Sequence, residues 1–159
     1  MSGISIIVEA EDFDAAMKKL QPLFSFDGTE LMSTIGALGE SQTRRRILEE
    51  KTAPDGTPWQ ENLEGTSILV QTGQHLLASI AWTSSADEAE WGSTWEYAHV
   101  HQDGMTIRAK DAPALAFHVG GKFVHAKEVD IPARLFVGLS ADNRQEITDV
   151  VTDVFGVFQ

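Results

Sequence analysis

Apolar and polar positions along the chain change period several times, and each change marks an element. Ile4, Ile6 and Val8 alternate, so residues 4–10 read as a first strand. Asp12 is a candidate cap for a helix from Phe13 to about Leu20, ended by Pro22. After Asp27-Gly28, with Thr29 as candidate N-cap, Leu31, Ile35 and Leu38 keep helical spacing. The pattern blurs past Gly36 and Gly39. Arg44-Arg45-Arg46 follows, and a run of three arginines on a helix reads first as a solvated face. Pro54-Asp55-Gly56-Thr57-Pro58-Trp59 is turn chemistry, with Trp59 anchoring the turn on the body. An irregular loop runs on to Thr66.

Downstream of Thr72-Gly73, Gln74–Ser79 reads as a short helix or turn entering a strand at Ile80–Ser84. Ala89–Gly92 is the returning strand. Ser93 and Glu96 have the spacing of a capping box, and Gly104 sits where a positive-φ residue ends a helix. Together they predict a short helix over 94–103 with Tyr97 and His101 on one face. Met105–Lys110 is a further strand. Leu115, Phe117 and Val119 alternate up to Gly120-Gly121, and Lys122–Val129 returns. With the glycines as the turn, Val119 pairs with Lys122, His118 with Phe123, Phe117 with Val124 and Ala116 with His125. Ile147, Val150, Val151, Val154, Phe155 and Phe158 then form one stripe of a final helix, capped by Ser140 or Asp142. The expectation is a single α+β domain over residues 1–159. In it an antiparallel β-sheet carries a long helix and a C-terminal helix packed on it, with one short helix inserted between strands.

Composition narrows the function classes. The 159 residues carry 24 acids and 12 bases, a formal charge of −12, spread along the chain and not gathered in a tail. A DNA binder needs a basic footprint, and this chain has the opposite balance. There is no cysteine, which excludes disulfides, thiolate metal sites and a thiol nucleophile. The opening residues lack the basic and apolar regions of a signal peptide, and no apolar run approaches a membrane span. The expected place of synthesis is the cytoplasm.

No catalytic spacing emerges. His99 and His101 are two residues apart, which on a helix turns them away from each other. His118 and His125 form only a diagonal pair across the proposed hairpin. A nucleophile elbow, a phosphate loop, a dinucleotide fingerprint and a zinc-protease motif are all missing. The expectation is a protein that is not an enzyme, with no cofactor and no metal.

Several blocks taken together resemble the virion morphogenesis, or tail completion, family of contractile-tailed bacteriophages. They are Pro54–Trp59, Ile68-Leu69-Val70 with Thr72-Gly73 and Leu76, Ser79-Ile80, Tyr97–Gly104 and Ile131-Pro132-Ala133-Arg134. The pairing of Y-A-H-V-H-Q-D-G with I-P-A-R carries most of the specificity. Leu135 stands where the family commonly has Pro, with Arg134 and Phe136 still in register.

The resemblance implies a virion protein without catalytic residues, made in the host bacterial cytoplasm. It implies action at the head-proximal end of the tail, as a ring around the DNA channel, such rings being often hexameric. The implied partners are its own copies, the terminus of the tail tube or sheath, head connector proteins, and double-stranded DNA passing without specific binding. The residues expected to form interface or structural motif are Trp59, Trp91, Trp95, Tyr97, His101, Gln102, Gly104, Pro132, Arg134 and Phe136. Among them Trp91 and Trp95 are divided between core and interface, and Arg134 is expected in a salt bridge. Tyr97 and His101 are expected to pin the central helix to the I-P-A-R turn. Two other classes compete: an acidic inhibitor or DNA-mimic protein, suggested by charge alone, and a small metal hydrolase, suggested by histidine count alone.

Overall fold

The longest of the described elements is the one on which the first hairpin and the last helix pack. In the computed structural model, which describes residues 10–70 and 74–156, helix α2 spans Thr29–Arg45 and runs without a break into a π-helical turn, Arg46–Glu50. The Lys51 amide closes that wider turn on the Arg46 carbonyl at 3.0 Å, and Lys51 itself takes a left-handed conformation. The helix start is held from two residues further out than the sequence suggests. Asp27 Oδ1 accepts from both the amide (3.0 Å) and the hydroxyl (2.6 Å) of Thr29.

Helix α1 spans Ala10–Phe24, so it starts earlier and ends later than predicted. Pro22 does not stop it. Near the C-terminal end its missing N–H removes only one bond, and the Ser25 amide closes the last turn on the Gln21 carbonyl at 3.3 Å. The strand expected at residues 4–10 falls on Ala10 within α1 and otherwise lies outside the described residues, as do Thr72-Gly73 and Phe158.

Helix α3 (Gln74–Ser79) leads into β1 (Ile80–Ser84), which pairs with β2 (Ala89–Ser93), as the pattern predicted. Trp82 and Trp91 are direct cross-strand partners, and this ladder lies on α2. The two glycines that blurred the helical pattern are the reason it can. A Cβ on Gly36 would come within 2.6 Å of the Trp82 ring, and one on Gly39 would overlap the Trp91 ring. They are sockets for indoles, not helix breaks.

After helix α4 (Ala98–Asp103) come β3 (Met105–Arg108), β4 (Leu115–Val119), β5 (Lys122–Ala126) and β6 (Glu128–Ile131). The β4–β5 register is the predicted one, with Val119 opposite Lys122 and Phe117 opposite Val124. The single predicted strand Lys122–Val129 is two strands. The chain bends at Lys127, so that β5 pairs back on β4 while β6 pairs with β3. Among the described residues the strands therefore form three separate two-stranded antiparallel ladders and not one continuous sheet. The class remains α+β.

The last helix, α5 (Ala141–Gly156), packs on α2 rather than on strands. Its start is reciprocal. The Asn143 amide donates to Ser140 Oγ at 3.1 Å, and the Ser140 amide donates to Asn143 Oδ1 at 3.2 Å. Its apolar stripe, Ile147 to Phe155, is half-buried, with Phe155 and Phe26 ring centroids 5.0 Å apart.

The three arginines are not a solvated face. Arg44 donates to the carbonyls of Leu77 (2.7 Å) and Ile80 (2.8 Å), and Arg45 reaches Glu50 and Glu146. Arg46 has no exposed surface at all. Its guanidinium donates to the carbonyls of Phe136 (3.2 Å) and Gly138 (2.7 Å) and to Asn143 Oδ1 (2.5 Å). A planar guanidinium presents several donors in fixed directions, so it can tie three segments that a lysine could not. Burial pushes its pKa down, opposed by Glu50 and reinforced by Arg45.

Candidate functional site

The two blocks that carry the sequence signature meet in space. Helix α4 ends at Gly104, and the segment 132–138 passes directly over that end. Gly104 has φ +74°, and a Cβ there would stand 2.7 Å from the Ala133 nitrogen and 2.9 Å from the Ile131 carbonyl. Positive φ is as predicted, and the close approach adds a second reason for glycine.

The helix itself is shorter than expected. Ser93 Oγ is engaged with Ser79 Oγ at 2.6 Å and accepts from the Trp95 amide at 3.2 Å, so it makes no capping box with Glu96. The chain turns through Trp95–Tyr97 before α4 begins at Ala98.

Gln102 is the clasp. Its Oε1 accepts from the amides of Phe136 (3.0 Å) and Val137 (3.1 Å), and its Nε2 donates to the Val137 carbonyl at 3.0 Å. One side-chain amide thereby substitutes for a neighbouring strand. The Arg134 amide donates to the His101 carbonyl at 2.7 Å, a second tie between α4 and the I-P-A-R turn. Arg134 is buried, but among the described residues it forms no salt bridge, so the expected ion pair is replaced by bonds to main chain. Its Nε donates to the Gln60 carbonyl at 3.0 Å and its Nη2 to the Glu61 carbonyl at 3.4 Å. Arg134 thus fastens the loop after Trp59 to the centre, and its burial pushes its pKa down.

Below the clasp lies the core: Ile47, Trp59, Leu76, Ile80, Ala98 and Phe136. Trp59 is buried, so the Pro54–Trp59 turn is anchored as predicted, with Asp55 Oδ1 accepting from the Thr57 amide at 2.9 Å. Trp95 is half-buried against this cluster and lies between two imidazoles, His75 at 6.2 Å and His101 at 6.0 Å between centroids. Tyr97 meets its edge at 5.7 Å and stays 55% exposed. Tyr97 is therefore not one of the pins. The helix is pinned by Gln102 and the His101 carbonyl. Trp91 is half-buried over Gly39, within its own chain. Pro132 lines a cleft of about 300 Å³ with Leu63, Phe117, Val129 and Arg134.

His101 has its pKa lowered, first by burial and then by the Arg134 charge, and its Nδ1 has no partner among the described residues. His118 and His125 flank Phe123 on an outer face, with centroids 5.0 and 4.8 Å from its ring. Among the described residues, no three His, Asp or Glu side chains converge as metal ligands would. No helix among them is long and apolar enough to cross a membrane.

Sequence reasoning passed over Trp82, Gly36, Gly39, Arg46, Gln42 and Asn143. The first three carried a usable signal, since two glycines one turn apart on a helix match two tryptophans facing each other across a hairpin. Gln42 donates to the Asn143 carbonyl at 3.2 Å and to Glu146 at 2.7 Å, contacts about a hundred residues apart that no local pattern encodes.

What this centre defines is an α+β fold whose distinctive polar residues tie loops together. A family model described as the phage virion morphogenesis family matches residues 8–156, and the chain belongs to that family. It is a protein of phage virion assembly. No curated protein and no solved structure matches it.

Proposed function

We propose that the protein completes the phage tail at its head-proximal end, as a ring of identical subunits around the DNA channel, and that it has no catalytic activity. The observation that carries this reading is the use made of the signature residues. Gln102, Arg134 and Gly104 hold a loop against a helix end: the side-chain polar atoms of Gln102 and Arg134 bond to main chain of the same molecule, and Gly104 permits the close approach. A hydrolase keeps comparable groups free to meet a substrate. An assembly subunit needs rigid loops that present surfaces to neighbours, which such ties supply.

The partners in this reading are other copies of the chain, the terminus of the tail tube or sheath, and the head connector. An anionic lumen lets DNA slide past without sticking. Light scattering on the purified chain separates this from the acidic-inhibitor reading. A ring subunit gives a discrete oligomer of more than two copies, and an inhibitor or DNA mimic gives a monomer or dimer.

A further inference from the structure

The loop over residues 60–66 is held at several points and still offers a leucine to solvent. Arg134 donates to the Gln60 and Glu61 carbonyls, Asn62 Oδ1 accepts from the Thr66 amide at 2.9 Å, and Glu64 Oε1 accepts from the Gly120 amide at 2.7 Å. Between these ties Leu63 is 82% exposed. It borders the cleft whose other walls include Phe117, Val119, Val129 and Pro132. The apolar surface continues onto β3, where Met105 and Ile107, the cross-strand partners of Ile131 and Val129, are both exposed. Apolar surface joined across four segments is more than the scattered single side chains of an ordinary surface.

The two sides of this cleft differ in charge. The loop carries two exposed acids, Glu61 and Glu64, and no base. Arg134 lines the cleft but is turned onto main-chain carbonyls. On the hairpin side, Lys122 pairs with Val119 across the ladder, so it shares the cleft face of β4–β5.

Helix α1 presents a surface of the matching kind. Met17, Leu20 and Leu23 follow at i, i+3 and i+6, and all three are exposed. Lys19 stands one turn before Leu23 at one edge of this stripe, and Asp14 stands one turn before Met17 at the other. Both are exposed, while Lys18 points to the opposite side of the helix. No residue of α1 lines the cleft, so the helix leaves the cleft of its own chain open.

We infer that α1 of a second copy of this chain lies in the cleft as a helix in a groove. Leu20 enters beside Leu63, Lys19 faces Glu61 and Glu64, and Asp14 faces Lys122. The centre of the contact is apolar on both sides and each edge meets its opposite charge, which also fixes the direction of the helix. Helix and cleft are different surfaces, so the contact is head-to-tail, and each subunit keeps one of each unfilled until a ring closes. The inference rests on the ring reading above and gives that ring a specific joint.

The test uses the intact chain, which has no cysteine. Sedimentation velocity compares the parent with Leu20→Asp, Leu63→Asp, Lys19→Glu, Glu61→Lys and the double variant Lys19→Glu/Glu61→Lys. All four side chains are exposed, and circular dichroism checks that each variant is folded. Leu20→Gln and Leu63→Gln repeat the measurement if an aspartate variant is not. Each leucine change should weaken association at least about tenfold. Each charge change alone should weaken it, and the double variant should restore most of the loss. Separately, a mixture of a Leu20→Cys chain and a Leu63→Cys chain should form a disulfide-linked dimer of one of each under mild oxidation, and neither chain alone should do so.

Oligomers that ignore all four single changes and yield no mixed dimer overturn this joint and leave the ring reading standing. Association lost in Leu63→Asp but intact in Leu20→Asp and Lys19→Glu puts another segment in the cleft and overturns the inference. A chain that stays monomeric at its highest soluble concentration overturns both the joint and the ring.

Discussion

Replacing Gln102 by Leu leaves the amides of Phe136 and Val137 without their acceptor in a part-buried setting, at a cost of roughly 1 to 3 kcal/mol. Denaturant unfolding of Gln102→Leu should show that loss as a lower midpoint with an unchanged slope. Arg134→Met is expected to behave similarly, because the guanidinium binds carbonyls of its own chain and not a neighbour's carboxylate. Its predicted loss is about 1 to 3 kcal/mol, or several degrees in a thermal melt. An unchanged melt with failed association would instead place Arg134 at a joint between subunits.

His101 gives a pH signature. Its folded pKa lies below the unfolded reference of 6.5, so the unfolded chain takes up the proton first. Above about pH 6.5 the imidazole is neutral in both states and makes no difference. As pH falls below that value, stability declines until the folded pKa is also passed. His101→Phe keeps a ring against Trp95 and removes the titration, so its melting temperature should fall less than the parent's between pH 7 and 5.

Helix α2 provides a case where two rules predict opposite signs. Propensity says that Gly39→Ala stabilises a helix by up to about 1 kcal/mol. Packing says that the new methyl collides with the Trp91 ring and costs about 1 to 3 kcal/mol. The rigid indole, held by a strand register, cannot step aside, so packing should win and Gly39→Ala should melt earlier than the parent. Gly36→Ala, against Trp82, should follow the same direction.

Other elements differ in how readable they were in the sequence. Alternation and the paired glycines located the turn and register of the β4–β5 hairpin to the residue, because a two-residue turn fixes register locally. The contact of the Tyr97–Gly104 block with Ile131–Arg134 was legible only as two motifs that belong together. The fate of Arg46 was not legible, since its burial depends on carbonyls of Phe136 and Gly138, some ninety residues away. The separate ladders escaped notice for a related reason. Strand periodicity shows which residues face inward, but not that a bend at Lys127 redirects β6 to β3.

As a whole the protein is a tightly tied core that presents ladders outward. Ile47, Trp59, Leu76, Ile80 and Phe136 come from five stretches of the chain, and Arg44, Arg46, Gln102 and Arg134 bind the loops between them to main-chain groups. Met105, Ile107 and Phe123 remain exposed on strands β3 and β5, where a subunit of a larger particle would bury them. The chain's place in phage virion assembly follows from its family, and its position at the head-proximal tail end is the central proposal. Electron microscopy of lysates from a phage lacking this gene tests that position most directly. The account predicts complete heads alongside unjoined or overlong tails, with normal virions restored when the intact chain is supplied in trans. Normal virions and normal titre from the deletion itself would contradict it.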